Sequence, residues 1–276
     1  MTNIFNYIDR KSPVHAMTGA SKLICLLLWS FGAMSSFDPR FLFVLFVLAV
    51  VLFRISKIGL KDVRFMLWFT LAFCLLNNLL IYLFSPQHGV EIYGSCHELV
   101  HIAGRYSITA EQLLYHLNVF LKYLATIPIV LLFVTTTDPS EFASSLNRIG
   151  VNYKIAYSVA LALRYIPDIQ REYHDITLSL QARGVEMNSR KASLVSRLKT
   201  ASGTLVPLIL SSMDRIEVIS NAMELRSFGK NKKRTWYRAR PFGAWDLGAM
   251  LLGLAVLLAS AALTLFVNHG RYYNPF

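Results

Sequence analysis

The sequence predicts an all-α, polytopic membrane protein with about five transmembrane helices and long amphipathic helices on the cytoplasmic side. Hydrophobic residues make up 54% of the 276 residues and charged residues only 16%, whereas soluble globular chains carry about 25% charge. The same apolar chain nevertheless has a formal net charge of +12. This combination excludes a disordered chain, a small disulfide scaffold and an ordinary cytosolic enzyme.

Apolar runs predict where the chain crosses the bilayer, because a spanning helix needs about 20 apolar residues. The predicted spans lie near residues 23–37, 41–53, 65–84, 113–134 and 247–267. They divide the chain into an N-terminal transmembrane region (1–137), a cytoplasmic region (138–240) and a C-terminal transmembrane helix (241–276). Residues 85–112 are expected to form a polar external loop.

Lysine and arginine positions predict which side each segment faces. Arg10, Lys11 and Lys22 flank the start of the first span, and four more basic residues lie in 54–64. By contrast, 85–112 contains one, Arg105. We therefore expect a multi-pass protein of the cell membrane with its N-terminus and residues 138–240 in the cytoplasm.

The excess positive charge is concentrated in residues 138–240. This region holds 17 Lys and Arg against 9 Asp and Glu, which accounts for +8 of the +12. A structureless connection of this length is uncommon. A short helix at 139–149 is expected to open the region, with Asp138 as its N-cap and Pro139 at its first position.

Two long amphipathic helices are predicted to follow. In the first, apolar side chains recur at alternating steps of four and three residues over about eight turns. This set, the first stripe, consists of Ile155, Val159, Ala162, Ile166, Ile169, Tyr173, Ile176 and Leu180. The second stripe consists of Leu194, Leu198, Ala201, Leu205, Ile209, Ser212, Ile216, Ile219 and Met223.

Both predicted helices end on an arginine followed by a small residue, Arg183-Gly184 and Arg226-Ser227. Glycine is a common helix stop. Pro167 and Pro207 fall inside the helices and predict bends or joints there. The paired arginine ends favour a binding role over generic packing against the membrane region.

At these helix ends the chain resembles the transmembrane T component of energy-coupling factor (ECF) transporters, the CbiQ/EcfT family. The family's two Ala-Arg-Gly-type motifs correspond to Ala182-Arg183-Gly184 and to Leu225-Arg226-Ser227, which keeps only the arginine. Similar stretches are Ser12-Pro13-Val14-His15, Lys22-Leu23, Thr136-Thr137-Asp138-Pro139 and Ala162-Leu163-Arg164-Tyr165-Ile166-Pro167. The resemblance covers nearly the whole chain and is weakest in 85–112.

The resemblance implies an energy-coupling subunit of an ABC-type importer for a vitamin or a transition metal. Two ABC-type ATPase subunits would each accept one arginine end, and a substrate-binding S subunit would dock on the first stripe. The other interpretation of that stripe is plain packing between the two helices. The sequence has no GxxxxGK[ST] motif, the loop that binds nucleotide phosphates in ATPases. We therefore expect that this chain is not an enzyme and that it holds no cofactor or metal. ATP and Mg²⁺ would be bound by the partner ATPases.

A competing signal is His97-Glu98-Leu99-Val100-His101, a formal HExxH motif. On a helix this spacing places two imidazoles one turn apart for Zn²⁺, with the glutamate as general base. The third ligand position of the longer pattern falls on Ser107, and a short external loop offers no walled cleft. An HExxH membrane metalloprotease is therefore a minor alternative to a polar loop.

A conventional ABC importer permease is the nearer alternative, although it would carry one coupling helix per subunit and no paired arginine ends. Nucleic-acid binding is disfavoured, because the basic cluster between Lys230 and Arg240 adjoins a predicted span, where such residues meet anionic lipid headgroups.

Three polar residues inside predicted spans, Asn77, Asn78 and Lys122, are expected to form hydrogen bonds between helices.

Overall fold

The computed structural model describes residues 12–103, 106–185, 194–231, 235–236, 240–268, 270 and 272–275. Most of these residues are helical, so the predicted helical membrane fold is confirmed. The elements are α1 (Pro13–Ala16), α2 (Gly19–Ser35), α3 (Pro39–Ile55), α4 (Leu60–Phe84), α5 (His88–Tyr93), β1 (Glu98–Ala103), β2 (Tyr106–Thr109), α6 (Ala110–Thr136), α7 (Pro139–Arg148), α8 (Tyr153–Ala182), α9 (Leu194–Leu225) and α10 (Ala244–Ala262). A π-helical segment, Leu263–Val267, follows α10.

The chain divides into two compact units. The membrane unit consists of Met1–Glu141 and Arg240–Phe276, and the helix-pair unit consists of Phe142–Ala239. Among the described residues, three helical stretches are long and apolar enough to cross a bilayer: Val63–Phe84, Ala110–Thr136 and Ala244–Val267. The apolar helices α2 and α3 have 17 residues each, at the short end of the spanning range of about 17–25.

An apolar core holds the membrane unit together. Helix α2 lies against α10 and α6, and α3 lies against α6. The core consists of Trp29, Ala33, Leu42, Leu45, Ala49, Leu121, Ala125, Ile129 and Val256. The indole Nε1 of Trp29 donates a hydrogen bond of 3.0 Å to the carbonyl of Ala125, so the polar atom of this buried ring is paired.

Glycines allow a close approach between α2 and α10. A Cβ atom at Gly253 would lie 3.1 Å from Cα of Cys25. A Cβ atom at Gly32 would lie 3.0 Å from Cγ1 of Val256. Small residues serve this purpose in membrane proteins because association there depends on close van der Waals packing.

The buried carboxylate of Asp246 joins two helix starts in the membrane unit. It accepts hydrogen bonds from the backbone N–H of Gly243 at 2.7 Å and of Thr18 at 2.6 Å, and from the hydroxyl of Ser21. Gly243 and Thr18 are the N-cap residues of α10 and α2. One side chain therefore serves both helix N-termini, where N–H groups lack partners within the helix.

Two buried lysines in the membrane unit donate to backbone carbonyls of other helices. Nζ of Lys22 lies 2.9 Å from the carbonyl of Thr136 at the end of α6. Lys22 was expected ahead of the first span, but α2 begins at Gly19 and includes it. Nζ of Lys122 lies 2.8 Å from the carbonyl of Met34, which confirms its predicted helix–helix hydrogen bond.

Asn78 connects α4 to α6. Its Oδ1 lies 3.0 Å from Nδ1 of His116, while Nε2 of Gln112 lies 3.0 Å from the other ring nitrogen. Because an amide nitrogen can only donate, the histidine accepts from Gln112 and donates to Asn78. The prediction is confirmed for Asn78; within the described part of the chain, Asn77 makes no interhelical hydrogen bond.

Residues 85–112 contain more regular structure than the predicted polar loop. Helix α5 is followed by strands β1 and β2, which pair antiparallel with Glu98 opposite Thr109 and His101 opposite Ser107. Two antiparallel strands can be joined by a short turn, so both strands fit within this segment of under thirty residues. Three of the basic residues on which the predicted sidedness depends lie outside the described residues: Arg10, Lys11 and Arg105.

Two long helices, α8 and α9, dominate the helix-pair unit. Each runs as one continuous helix through its internal proline, Pro167 or Pro207, so the prolines do not create the breaks that a joint would require. A proline removes one i→i−4 hydrogen bond, and in helices of 30 and 32 residues the bonds on either side remain.

Candidate functional site

The first arginine motif ends α8 in a Schellman turn. Arg183 is the C-cap, and Gly184 follows it in the left-handed region with φ of 82°. The N–H of Val185 donates to the carbonyl of Leu180 at 3.0 Å, and the N–H of Gly184 donates to Gln181 at 2.9 Å. These two bonds satisfy carbonyls that a helix end otherwise leaves without partners.

The second arginine motif ends α9 in the same turn. Arg226 directly follows the last helical residue, and Ser227 adopts the left-handed conformation with φ of 54°. The N–H of Phe228 donates to the carbonyl of Met223 at 2.9 Å, and the N–H of Ser227 donates to Glu224 at 2.8 Å. Each bond has a counterpart at the end of α8.

The departure of the second motif from the family pattern therefore leaves the backbone turn unchanged. Left-handed backbone costs a residue with a Cβ roughly 1–2 kcal/mol, a cost that Gly184 avoids and Ser227 bears. A Cβ at Gly184 would meet no heavy atom within 4 Å. Backbone conformation, rather than crowding within the chain, is what favours glycine there.

Arg183 and Arg226 present exposed side chains from these turns. Neither is an ion-pair partner of any acidic residue in the part of the chain that the structure describes. A cation at a helix C-terminus also interacts favourably with the helix dipole. Both guanidinium groups are thus available to a molecule that approaches the helix ends.

Phe228 anchors the second turn against the start of α8. The centroid of its ring lies 5.6 Å from that of Tyr153 and 4.8 Å from that of Tyr157. Trp236 extends the cluster, with its ring 6.5 Å from Tyr157 and its Nε1 donating to Oδ1 of Asn147 at 3.0 Å. The end of α9 is therefore fixed beside the beginning of α8.

The middles of the two helices are joined through Glu172. Its carboxylate accepts a hydrogen bond of 2.7 Å from Nη2 of Arg215 and another from the hydroxyl of Ser211. The side chains of Glu172 and Arg215 are only 20% and 36% exposed, so this ion pair is partly shielded from water. Together with the contacts of Phe228, this arrangement makes α8 and α9 antiparallel.

The antiparallel pairing places the two arginines at opposite ends of the helix pair. Arg183 follows the last residue of α8, whereas Arg226 lies next to the first turns of the same helix. At 1.5 Å per residue, the 30 residues of α8 extend about 45 Å. The arginines are therefore separated by roughly 40 Å, too far for one small binding pocket to hold both.

A polar pocket of about 590 Å³ opens beside the second arginine turn. Its lining includes Lys154, Lys230 and Asn152. Asn152 is the N-cap residue of α8, and its side chain accepts a hydrogen bond of 3.0 Å from the backbone N–H of Lys154. Two lysines and a helix N-terminus make the surroundings of Arg226 strongly positive.

The first stripe is at most partly covered by the residues that the structure describes. None of its eight residues is buried, and Ile155 and Tyr173 are 58% and 45% exposed. The aromatic contacts and the ion pair that join α8 to α9 involve Tyr153, Tyr157 and Glu172, none of which belongs to the stripe. Packing between the two helices therefore leaves much of this apolar surface exposed.

The second stripe is exposed in the same way where the structure describes it. Leu205, Ile209 and Ile216 are each about half exposed or more. The side chains of Leu194, Leu198 and Ala201 lie outside the described residues. Exposed apolar side chains thus occur along both helices.

Several residues that shape this site were not predicted from local sequence patterns. Phe228 was not assigned a role, although a hydrophobic residue two positions after a helix C-cap is part of the Schellman pattern. No partner was predicted for Glu172. Its pairing with Arg215 depends on the antiparallel register of two helices, which no local pattern reveals.

The HExxH alternative is contradicted by the geometry of residues 97–101. His101 lies in β1, and His97 is the residue directly before that strand. The two imidazoles are therefore not one helical turn apart. Nδ1 of His97 lies 2.7 Å from the buried carboxylate of Glu111, which also accepts from the hydroxyl of Ser95. No group of three His, Cys, Asp or Glu among the described residues could hold a metal ion.

These features define a polytopic helical membrane protein that carries two antiparallel helices with equivalent arginine ends. A family model described as cobalt transport protein, CbiQ, matches residues 10–237. The chain belongs to the CbiQ family and is a transmembrane transport protein, which confirms the resemblance noted from its motifs.

Named relatives span almost the full chain. The energy-coupling factor transporter transmembrane protein EcfT of Staphylococcus aureus (strain 04-02981) is 25% identical, over 92% of this chain and 95% of the relative. The protein of the same name from Bacillus selenitireducens is 26% identical, over 94% and 95%. That from Listeria innocua is 27% identical, over 91% and 93%.

Proposed function

We propose that this protein is the membrane-embedded energy-coupling subunit of an ECF-type importer. In this role it passes the free energy of ATP hydrolysis from two partner ATPases to a substrate-binding S subunit. The observation that carries the proposal is the pair of arginine C-caps, Arg183 and Arg226, held in equivalent turns at opposite ends of an antiparallel helix pair.

Each arginine end docks into a groove of one ABC-type ATPase subunit. Arginine suits this task because it stays charged at physiological pH and offers five donors in a rigid fork to carboxylates or carbonyls. A separation of roughly 40 Å along α8 supports two binding sites on two subunits rather than one shared site. Lys154 and Lys230 beside Arg226 favour an acidic partner surface.

ATP and Mg²⁺ are bound by the partner ATPases and not by this chain. The sequence lacks the GxxxxGK[ST] loop whose backbone cradles nucleotide phosphates. The chain acts as a non-enzymatic transport subunit and needs no cofactor of its own. The two helices with arginine ends correspond to its coupling region, residues 138–240.

The S subunit docks on the first stripe, Ile155 to Leu180. The exposure of this stripe, together with Leu205 and Ile209 on α9, supports an apolar docking surface. Burial of apolar surface is non-directional, so a partner can shift on such a surface without breaking specific bonds. The imported substrate is a vitamin or a transition metal, selected by the S subunit.

The protein resides in the cell membrane with its N-terminus and the helix pair in the cytoplasm. The basic residues of 54–64, including Arg54 and Lys61, support this orientation. In the membrane unit, the start of α2, the end of α6 and the start of α10 lie at one end, joined by Lys22 and Asp246. With the N-terminus in the cytoplasm, this arrangement supports an external position for the end of α10.

Co-purification of tagged chain with co-expressed ATPases, combined with substrate uptake in cells, tests the proposal. Removing one partner of a buried charged hydrogen bond typically costs about 2–5 kcal/mol, so Arg183→Ala and Arg226→Ala should each weaken docking strongly. The double variant should lose both ATPase binding and uptake. Arg171→Ala removes an exposed arginine of α8 and should change neither. Undiminished co-purification and uptake by the double variant would contradict the proposal.

A further inference from the structure

An apolar pocket of about 330 Å³ lies between α3, α4 and α6 of the membrane unit. This volume is at the lower end of the range for ligand pockets, roughly 300–1,000 Å³. Its walls include Phe46 and Phe53 of α3, Leu71 and Cys74 of α4, and Leu124 and Ile127 of α6. All three helices belong to the apolar, membrane-crossing part of the chain.

The walls of the pocket favour an apolar occupant. The hydroxyl of Thr70 donates to the carbonyl of Met66 at 2.8 Å, so it is already engaged within α4. Sγ of Cys74 lies 3.7 Å from Nδ2 of Asn78. Tyr123 is a further uncharged polar side chain in walls that are mostly apolar. Hydrocarbon fits such a cavity better than a polar solute.

Arg54 gives the pocket a charged end. It is the charged residue among the described lining residues and lies in the last turn of α3, next to the turn that leads into α4. Its side chain is exposed and has no ion-pair partner within the described chain. From Arg54 to Phe46 the wall follows α3 for eight residues, about 12 Å towards the middle of the bilayer.

We propose that this pocket binds an anionic phospholipid, with one acyl chain between α3, α4 and α6 and the phosphate on Arg54. Hydrocarbon surrounds these helices, so a lipid chain is the molecule that reaches the pocket directly. Arginine pairs with phosphate through two parallel hydrogen bonds, and basic pockets between transmembrane helices hold anionic headgroups. The acyl chain fills a gap beside α4, and the other faces of α4 are largely exposed.

Native mass spectrometry of the full-length protein in detergent tests this site with two probes, dioleoylphosphatidylglycerol and dioleoylphosphatidylcholine. The wild type should retain one phosphatidylglycerol per chain more strongly than phosphatidylcholine. Arg54→Gln should weaken retention of phosphatidylglycerol roughly tenfold and leave phosphatidylcholine little changed. Lys61→Gln is the matched control, because it removes the same charge nearby without lining the pocket.

A pocket-filling variant separates the acyl-chain site from the charge. Leu71→Trp should reduce retention of both lipids, and the thermal shift that phosphatidylglycerol gives the wild type should be lost with it. If this variant does not fold, the comparison of Arg54→Gln with Lys61→Gln decides. Equal losses of phosphatidylglycerol in those two variants, or no loss in either, would overturn the proposal.

Discussion

Gly184 and Ser227 occupy the same backbone position, the left-handed residue that closes a Schellman turn directly after an arginine. Their φ angles are 82° and 54°, and the two hydrogen bonds of each turn match within 0.1 Å. The two helix ends therefore share a conformation even though their sequences differ. This conformation fixes how Arg183 and Arg226 leave their helices.

Exchanging residues at this position should change stability in opposite directions at the two ends. Ser227→Gly relieves left-handed strain and should stabilise the helix-pair unit by up to about 1 kcal/mol. Gly184→Ala introduces that strain and should destabilise it by about 1–2 kcal/mol, although the new methyl group has open space. Hydrogen exchange at the last turns of α8 and α9 measures both changes.

A serine inside α9 provides the control for this pair. Ser220→Gly places glycine in a right-handed helical position and should destabilise the helix by roughly 0.5 kcal/mol. A destabilising effect of Ser227→Gly as large as that of Ser220→Gly would refute the left-handed assignment.

The register of the helix pair should depend on Glu172. Glu172→Gln removes the charge that receives Arg215 in a partly shielded setting and should destabilise the α8–α9 contact by about 1–2 kcal/mol. Faster hydrogen exchange in the middle of both helices would report this loss. Asp168→Asn breaks an exposed pair with Arg171 at 3.6 Å and should have an effect below about 0.5 kcal/mol. Equal effects of the two variants would show that Glu172 does not hold the register.

Asp246 should be a major determinant of stability in the membrane unit. Asp246→Asn turns one acceptor oxygen into a donor that faces the N–H of Gly243 or Thr18, and should cost about 1–3 kcal/mol. A lower thermal unfolding temperature in detergent would register the loss. Asp214→Asn, at an exposed position in α9, should leave that temperature nearly unchanged. An unfolding temperature for Asp246→Asn equal to that of the wild type would rule out this role.

Two glycines of α10 should respond differently to alanine. Gly253→Ala puts a methyl group about 3.1 Å from the backbone of α2 and should force the helices apart, lowering stability. Gly248→Ala meets nothing within 4 Å and should be neutral or stabilising by up to about 1 kcal/mol. Thermal unfolding of both variants measures the contrast. The same response from both would indicate that α2 and α10 are not in close contact at Gly253.

The sequence was informative wherever a local pattern determined the structure. Apolar runs and the steps of the first stripe predicted helices, and the arginine–small pairs marked the ends of α8 and α9. The resemblance to the CbiQ/EcfT family rested on the same short motifs. These features depend on residues close together in the chain, which is why they can be predicted from a single sequence.

Features that depend on distant residues were not predictable in this way. The strands β1 and β2 have only six and four residues, too few for their sequence pattern to be distinguished from a polar loop. The caps supplied by Asp246 and the bond from Lys22 to Thr136 join segments more than one hundred residues apart. The equivalence of the Ser227 turn could not be inferred either, because serine takes a left-handed conformation only where the surrounding structure holds it there.

The mass of the intact transporter complex tests the central claim most directly. If Arg183 and Arg226 each engage one ATPase, the complex purified through this chain contains one copy of it with two ATPase subunits. A conventional ABC permease would instead contribute two membrane subunits to each ATPase pair. A complex with two copies of this chain per ATPase pair would contradict the account.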